Sequence, residues 1–104
     1  MTIADELTKR VIDRVASWDG VTAHPHRFGG VEFRLGRREL GHVHRHGLVD
    51  LPFPVRLREQ LVANGKAEPH HVLPDSGWVS LRVRTDADVE RAIELFRLSY
   101  DRRP

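Results

Sequence analysis

The sequence predicts an α+β domain, a mainly antiparallel sheet with three helices in the order α-β-β-β-α-β-β-α. Three observations point to it. Stretches of helical period frame the chain, period-two alternation of apolar and polar residues fills the middle, and short glycine- or proline-bearing turns separate the alternating runs. No long βαβ series appears, so hairpins should dominate the sheet. At 104 residues the chain, 1–104, has the size of a single domain.

Ile3, Leu7, Val11, Val15 and Trp18 recur every three or four positions and predict a helix over residues 3–18. Thr2 is its expected N-cap, with Asp5 three residues on, and Asp19-Gly20 should close it. The period then changes to two. Val21 to His26 reads as a short strand, Gly29-Gly30 as a bend, and Val31, Phe33 and Leu35 alternate with Glu32 and Arg34 as in a half-buried strand. A turn around Gly36-Arg37-Arg38 leads into a strand from about Glu39 to Arg45, ended by Gly47. Leu48 to Pro54 carries two prolines, which suit neither a helix interior nor a central strand, so an ordered loop is expected there.

The second half begins with a short helix from Val55 to about Ala63, with Pro54 before its first turn and Asn64-Gly65 after its last. A hairpin should follow, His70 to Leu73 pairing with Trp78 to Val83 across the turn Pro74-Asp75-Ser76-Gly77. Thr85-Asp86-Ala87-Asp88 then caps a last helix whose apolar face is Val89, Ala92, Ile93, Phe96 and Tyr100.

Composition narrows the function classes. The chain has seven His and no Cys, which excludes disulfides, thiolate metal sites and a cysteine nucleophile, so any metal would be held by nitrogen and oxygen. The isoelectric point is near 9.7. Yet 15 acids nearly balance 17 bases, 15 of them Arg, and the formal charge is +2. Pairs such as Arg37-Arg38 and Arg82-x-Arg84 are interspersed with acids, an arrangement that argues against a nucleic-acid partner. Asp5, Glu6, Lys9 and Arg10 interrupt any apolar leader in the first ten residues, and no segment approaches 18 apolar residues. A cytoplasmic protein is expected.

The histidines carry the functional expectation. His42 and His44 alternate with Gly41, Val43 and Arg45 and so share one strand face with Leu40. A two-residue turn at Gly36-Arg37 sets Arg34 opposite Glu39 and puts that face on the side of Val31, Phe33 and Leu35; a three-residue turn would reverse the parity. If Pro74 to Gly77 is a four-residue loop, Leu73 faces Trp78, and His70 joins Val79 and Leu81 while His71 points the other way. His42, His44 and His70 could then meet in one apolar-rimmed pocket, with Asp50 nearby. Three readings are open: a metal-free reaction pocket, a transition metal held by His42, His44 and His70, or structural histidines. Histidines buried in the neutral form would also weaken the fold below a pH of about 6.5. Trp78 suits a core anchor, and Pro52-Phe53-Pro54 a rigid loop that walls a pocket.

These segments resemble a known family. Arg38-Glu39-Leu40-Gly41-His42-Val43-His44, then Gly47-Leu48-Val49-Asp50-Leu51-Pro52-Phe53-Pro54, then His70-His71-Val72-Leu73-Pro74-Asp75-Ser76-Gly77-Trp78-Val79-Ser80 are similar to the luciferase-domain (luciferase-like) proteins of bacteria and some eukaryotes. The similarity runs from about Phe28 to Tyr100. It implies oxidation of an imidazopyrazinone such as coelenterazine by molecular oxygen, with decarboxylation and light and with no organic cofactor. Carried onto this chain, His42, His44 and His70 would be catalytic, and Asp50, Phe53, His71 and Trp78 would bind the aromatic heterocycle. More distantly, the His-bearing strand, the Gly-Trp-Val strand and the helix ending Leu98-Ser99-Tyr100 resemble the MmcQ/YjbR-like proteins. That likeness implies a double-wing fold and, as the alternative function, a non-enzymatic module binding nucleic acid or a protein.

Overall fold

The computed structural model describes residues 3–102. The elements are α1 Ile3–Ala16, β1 Val21–His26, β2 Gly30–Leu35, β3 Arg38–Val43, β4 Leu48–Pro52, α2 Val55–Ala63, β5 Glu68–Pro69, β6 Trp78–Arg82 and α3 Asp86–Asp101. The six strands form one antiparallel sheet in the order β1-β2-β3-β4-β6-β5. The α+β class and the three helices are as the sequence predicts. Leu7, Val11 and Val15 of α1 and Val89, Ala92, Ile93 and Phe96 of α3 are buried together with Phe33, Val43, Val49, Leu51 and Val79 of the sheet. Asp5 and Glu6 in the first turn of α1 and Arg14 in its last complement the helix dipole. Thr2, the expected cap of α1, lies outside the described residues.

Thr85 caps α3 as expected, its side chain accepting from the Asp88 N–H while the Asp88 carboxylate takes the Thr85 N–H. Tyr100, expected on the apolar face of α3, is half-buried, and its hydroxyl donates to the Asp19 carbonyl.

Two expectations about the strands are corrected. Leu48 to Pro52 is a strand, β4, lying between β3 and β6. Its prolines do not prevent this, because Pro52 is its last residue and Pro54 lies beyond it, leaving Leu48 to Leu51 free to donate to the ladder. His70 to Leu73 is a bend outside the sheet, and on this edge of β6 the pairing is confined to Glu68 and Pro69. The His70 Nδ1 accepts the backbone N–H groups of both Val72 and Leu73 at 3.1 Å, which curls the chain away from an extended path.

A third correction decides the site. The β2–β3 hairpin starts in the expected register, with Leu35 opposite Arg38 and Arg34 opposite Glu39 around Gly36-Arg37, and Gly36 has φ +65°. One step on, the register shifts, and Phe33 faces Gly41 with Leu40 as the extra residue of a bulge. The carbonyl of Leu40 accepts the Ser99 hydroxyl of α3 at 2.8 Å. The shift reverses the parity of the remainder of β3. Gly41 therefore faces α3, and His42 lies on the opposite face from Phe33 rather than on the same one. A cross-strand row results, running through His24, Glu32, His42, Asp50, Ser80 and Glu68 on the face away from α1 and α3.

Candidate functional site

Asp50 is the centre of that row. It is fully buried, and its Oδ1 accepts the Ser80 hydroxyl at 2.6 Å from the neighbouring strand. Three imidazoles surround its Oδ2: His44 Nε2 at 2.7 Å, His42 Nε2 at 3.3 Å and His70 Nε2 at 3.6 Å. His42, His44, His70 and Asp50, singled out in the sequence, do come together. They meet on the outer face of the sheet, not among the apolar core residues.

His42 is only 9% exposed. The His26 ring stacks on it with centroids 4.1 Å apart, and Trp78 lies at 5.2 Å. Its Nδ1 is 2.8 Å from Glu39 Oε2, so each of its ring nitrogens faces a carboxylate. Carboxylates only accept, so both nitrogens must carry hydrogen and the ring is an imidazolium. Burial alone would lower its pKa, but the hydrogen bonds to Asp50 and Glu39 outweigh it and raise the pKa to about 9. Burial likewise opposes ionisation of Asp50, yet the bonds from His42, Ser80 and His44 hold its carboxyl well below the usual range. The expectation of buried neutral histidines is therefore reversed at His42.

It holds at His70, whose pKa is lowered by burial, with the charges of His71 and His42 adding to the effect against the attraction of Asp50. Its Nδ1 is occupied by two backbone donors, so the single proton sits on Nε2, toward Asp50.

His44 follows β3, at the start of a tight reversal that returns the chain to β4. The His44 N–H bonds the Leu48 carbonyl at 2.7 Å, and His46 in the turn takes φ +69°. Since Asp50 accepts from His44 Nε2, the neutral ring leaves Nδ1 as its acceptor, and among the described residues no hydrogen bond is made to that nitrogen. Oriented by a buried carboxylate and partly open to solvent, this ring can exchange a proton with a ligand.

The other expected residues divide. Trp78 pairs with Pro52 on the outer face and lies beside His42 and His70, so it is a wall of the site and not a core anchor. His71 is exposed and stacks on His70 at 4.4 Å. Phe53 is in the core, and it lines a separate depression of about 260 Å³ with Arg38, Glu39 and Pro54. The loop that carries His70 also exposes two apolar side chains, Val72 and Leu73, at 66% and 51%.

Sequence reasoning missed His26, Glu32, Glu39 and Ser80. His26 Nδ1 lies 3.4 Å from Glu32 Oε1, and an Arg34 hydrogen bond holds Glu32 below the usual carboxylate range. His24-x-His26 alternates just as His42-x-His44 does, a signal that was present in the sequence. Ser80 could be matched to Asp50 only once residues 48–52 were known to be a strand.

No curated protein and no solved structure matches this chain. The profile of the Luciferase domain family matches residues 37–99, a span that contains Asp50, Trp78, Ser80 and His42, His44 and His70. That span exceeds half of the 104 residues, and the chain belongs to the Luciferase domain family.

Proposed function

We propose that the outer face around Asp50 binds an electron-rich aromatic heterocycle in its anionic form, of the imidazopyrazinone type, and promotes its oxidation by molecular oxygen. The observation that carries this reading is a fixed imidazolium, His42, beside the indole of Trp78, with Val72 and Leu73 exposed on the loop that carries His70. A flat anion satisfies both features, its charge set near His42 and its ring against apolar side chains. Membership of the luciferase family supports the oxidative chemistry.

In this reading His44 Nδ1 takes the acidic proton of the heterocycle, and Asp50 holds the resulting imidazolium. The substrate anion adds through carbon to dioxygen, and the terminal peroxide oxygen attacks the adjacent carbonyl carbon, breaking its bond to the ring nitrogen, which leaves as the anion, and closing a four-membered peroxide ring. Loss of carbon dioxide breaks the O–O and C–C bonds of that ring and carries away the carbonyl carbon with its own oxygen and one oxygen of the peroxide pair. The product keeps the other oxygen of the pair as a carbonyl, dioxygen having served as the oxidant. The proton on His44 returns to the product anion. The substrate supplies the electrons, and no bound organic cofactor is required.

Mixing the purified protein with coelenterazine in air tests it. Light well above that given by serum albumin is expected, falling about 100-fold in His44→Ala and unchanged in His46→Ala. Light equal to that of albumin and indifferent to His44→Ala overturns the reading.

A further inference from the structure

We propose that His26, His42 and His44 form a binding site for one divalent transition-metal ion of the zinc or copper class. One potential ligand nitrogen from each lies within 4.8 Å of the others. Metal–nitrogen bonds of about 2.0–2.1 Å place tetrahedral ligands roughly 3.3 Å apart, so closing the site takes side-chain adjustments of about 1.5 Å or less.

The stronger argument is what stands behind each ring. Glu32 holds His26 through Nδ1 at 3.4 Å, Glu39 holds His42 through Nδ1 at 2.8 Å, and Asp50 holds His44 through Nε2 at 2.7 Å. Three imidazoles, one from β1 and two from the end of β3, are thus each held by a different carboxylate; His26 and His44 make no hydrogen bond through their second nitrogen among the described residues, and His42 would exchange its contact with Asp50 for the ligand. Outer-shell carboxylates of this kind fix the orientation of metal-bound histidines and raise their basicity.

The nitrogens that would ligate are Nε2 of His26 and Nδ1 of His44, together with Nε2 of His42, which now faces Asp50 Oδ2 at 3.3 Å. On His42 the metal replaces the proton directed at Asp50. Glu32, Glu39 and Asp50 supply three negative charges around the position, of which Glu32 is shared with Arg34. Imidazole nitrogen without thiolate suits zinc, copper or nickel over magnesium or calcium.

His70, which the sequence placed in such a trio, is set differently, because its Nδ1 is taken by backbone N–H groups. The inference does not rest on the oxidative reading. A metal at these nitrogens occupies His44 Nδ1, so the metal-loaded form and the proton-accepting form exclude each other.

The test uses the full chain without a His tag, stripped with chelator and titrated with zinc by calorimetry and by competition with a chromogenic chelator. One equivalent is expected to bind, and cobalt(II) should give the visible bands of a tetrahedral nitrogen site. His26→Ala, on the outer strand, and His44→Ala should each weaken zinc by at least about 100-fold, Glu39→Gln should weaken it about 10–100-fold, and His46→Ala should change nothing. Circular dichroism verifies that each variant is folded. Absence of stoichiometric zinc and cobalt binding overturns the proposal, as does binding that survives His26→Ala and His44→Ala or is lost in His71→Ala. Each readout is free of heterocycle and oxygen, so failure of the oxidative reading leaves the result intact.

Discussion

His44 Nε2 and Asp50 Oδ2 lie 2.7 Å apart, joined across the reversal that links β3 to β4. The same oxygen is within 3.3 Å of the His42 imidazolium, so Asp50 compensates a buried charge and orients a second ring. The remaining Asp50 oxygen is taken by Ser80, which leaves the carboxylate little freedom to turn.

Replacing Asp50 by Asn sets an amide donor or a single acceptor against several ring N–H groups. Removing one partner of a buried pair costs about 3–5 kcal/mol. For a chain of this length the melting temperature should fall by upwards of about 10 °C, measured by scanning calorimetry. The His42 ring should also titrate at lower pH, followed by NMR.

The two perturbed histidines act on opposite sides of their ordinary pKa. His42 is raised to about 9, so its contribution is complete below about 6.5 and is lost as pH rises through 9. The linkage amounts to about 3 kcal/mol across that interval. His70 is lowered, so its contribution is present above about 6.5 and is lost as pH falls below it. Metal-free protein should therefore be most stable near pH 6.5, and denaturant melts in chelator will show the maximum. In His42→Gln the alkaline decline should disappear.

Gly41→Ala tests the bulge. Gly41 has φ +153°, and a Cβ there would lie 2.8 Å from the Asp50 carbonyl oxygen and 2.9 Å from Phe96 Cε1. Neither the backbone of β4 nor a packed ring of α3 yields readily, so the substitution should cost about 2–3 kcal/mol. Urea melts would record the loss, and a shifted His42 resonance would show that the polar row moved with it.

Thr85→Ala removes the side-chain acceptor of the Asp88 N–H at the start of α3. A loss of about 1 kcal/mol is expected. Because the cap lies apart from the imidazoles, the pH of maximum stability should stay where it was.

The sequence by itself determined the helices, the turn of the β2–β3 hairpin and the identity of the central residues. Helical period and capping chemistry are local, and so is the pairing of Arg34 with Glu39 about a two-residue loop. The alternation of His42 with His44, the presence of Asp50 on the next segment and the family likeness were likewise legible along the chain.

Tertiary structure decided which side of the sheet the histidines occupy. Parity along a strand has a period of two, so one extra residue at Leu40 reverses everything after it, and that bulge is held by Ser99 of α3 some sixty positions away. It also decided that residues 48–52 form a strand, since neighbours on both sides supply its pairing, and so placed Ser80 on Asp50. The charge of His42 was beyond the sequence for the same reason. Its two carboxylates come from Glu39 across the bulge and Asp50 across the sheet, and burial between them is a property of packing.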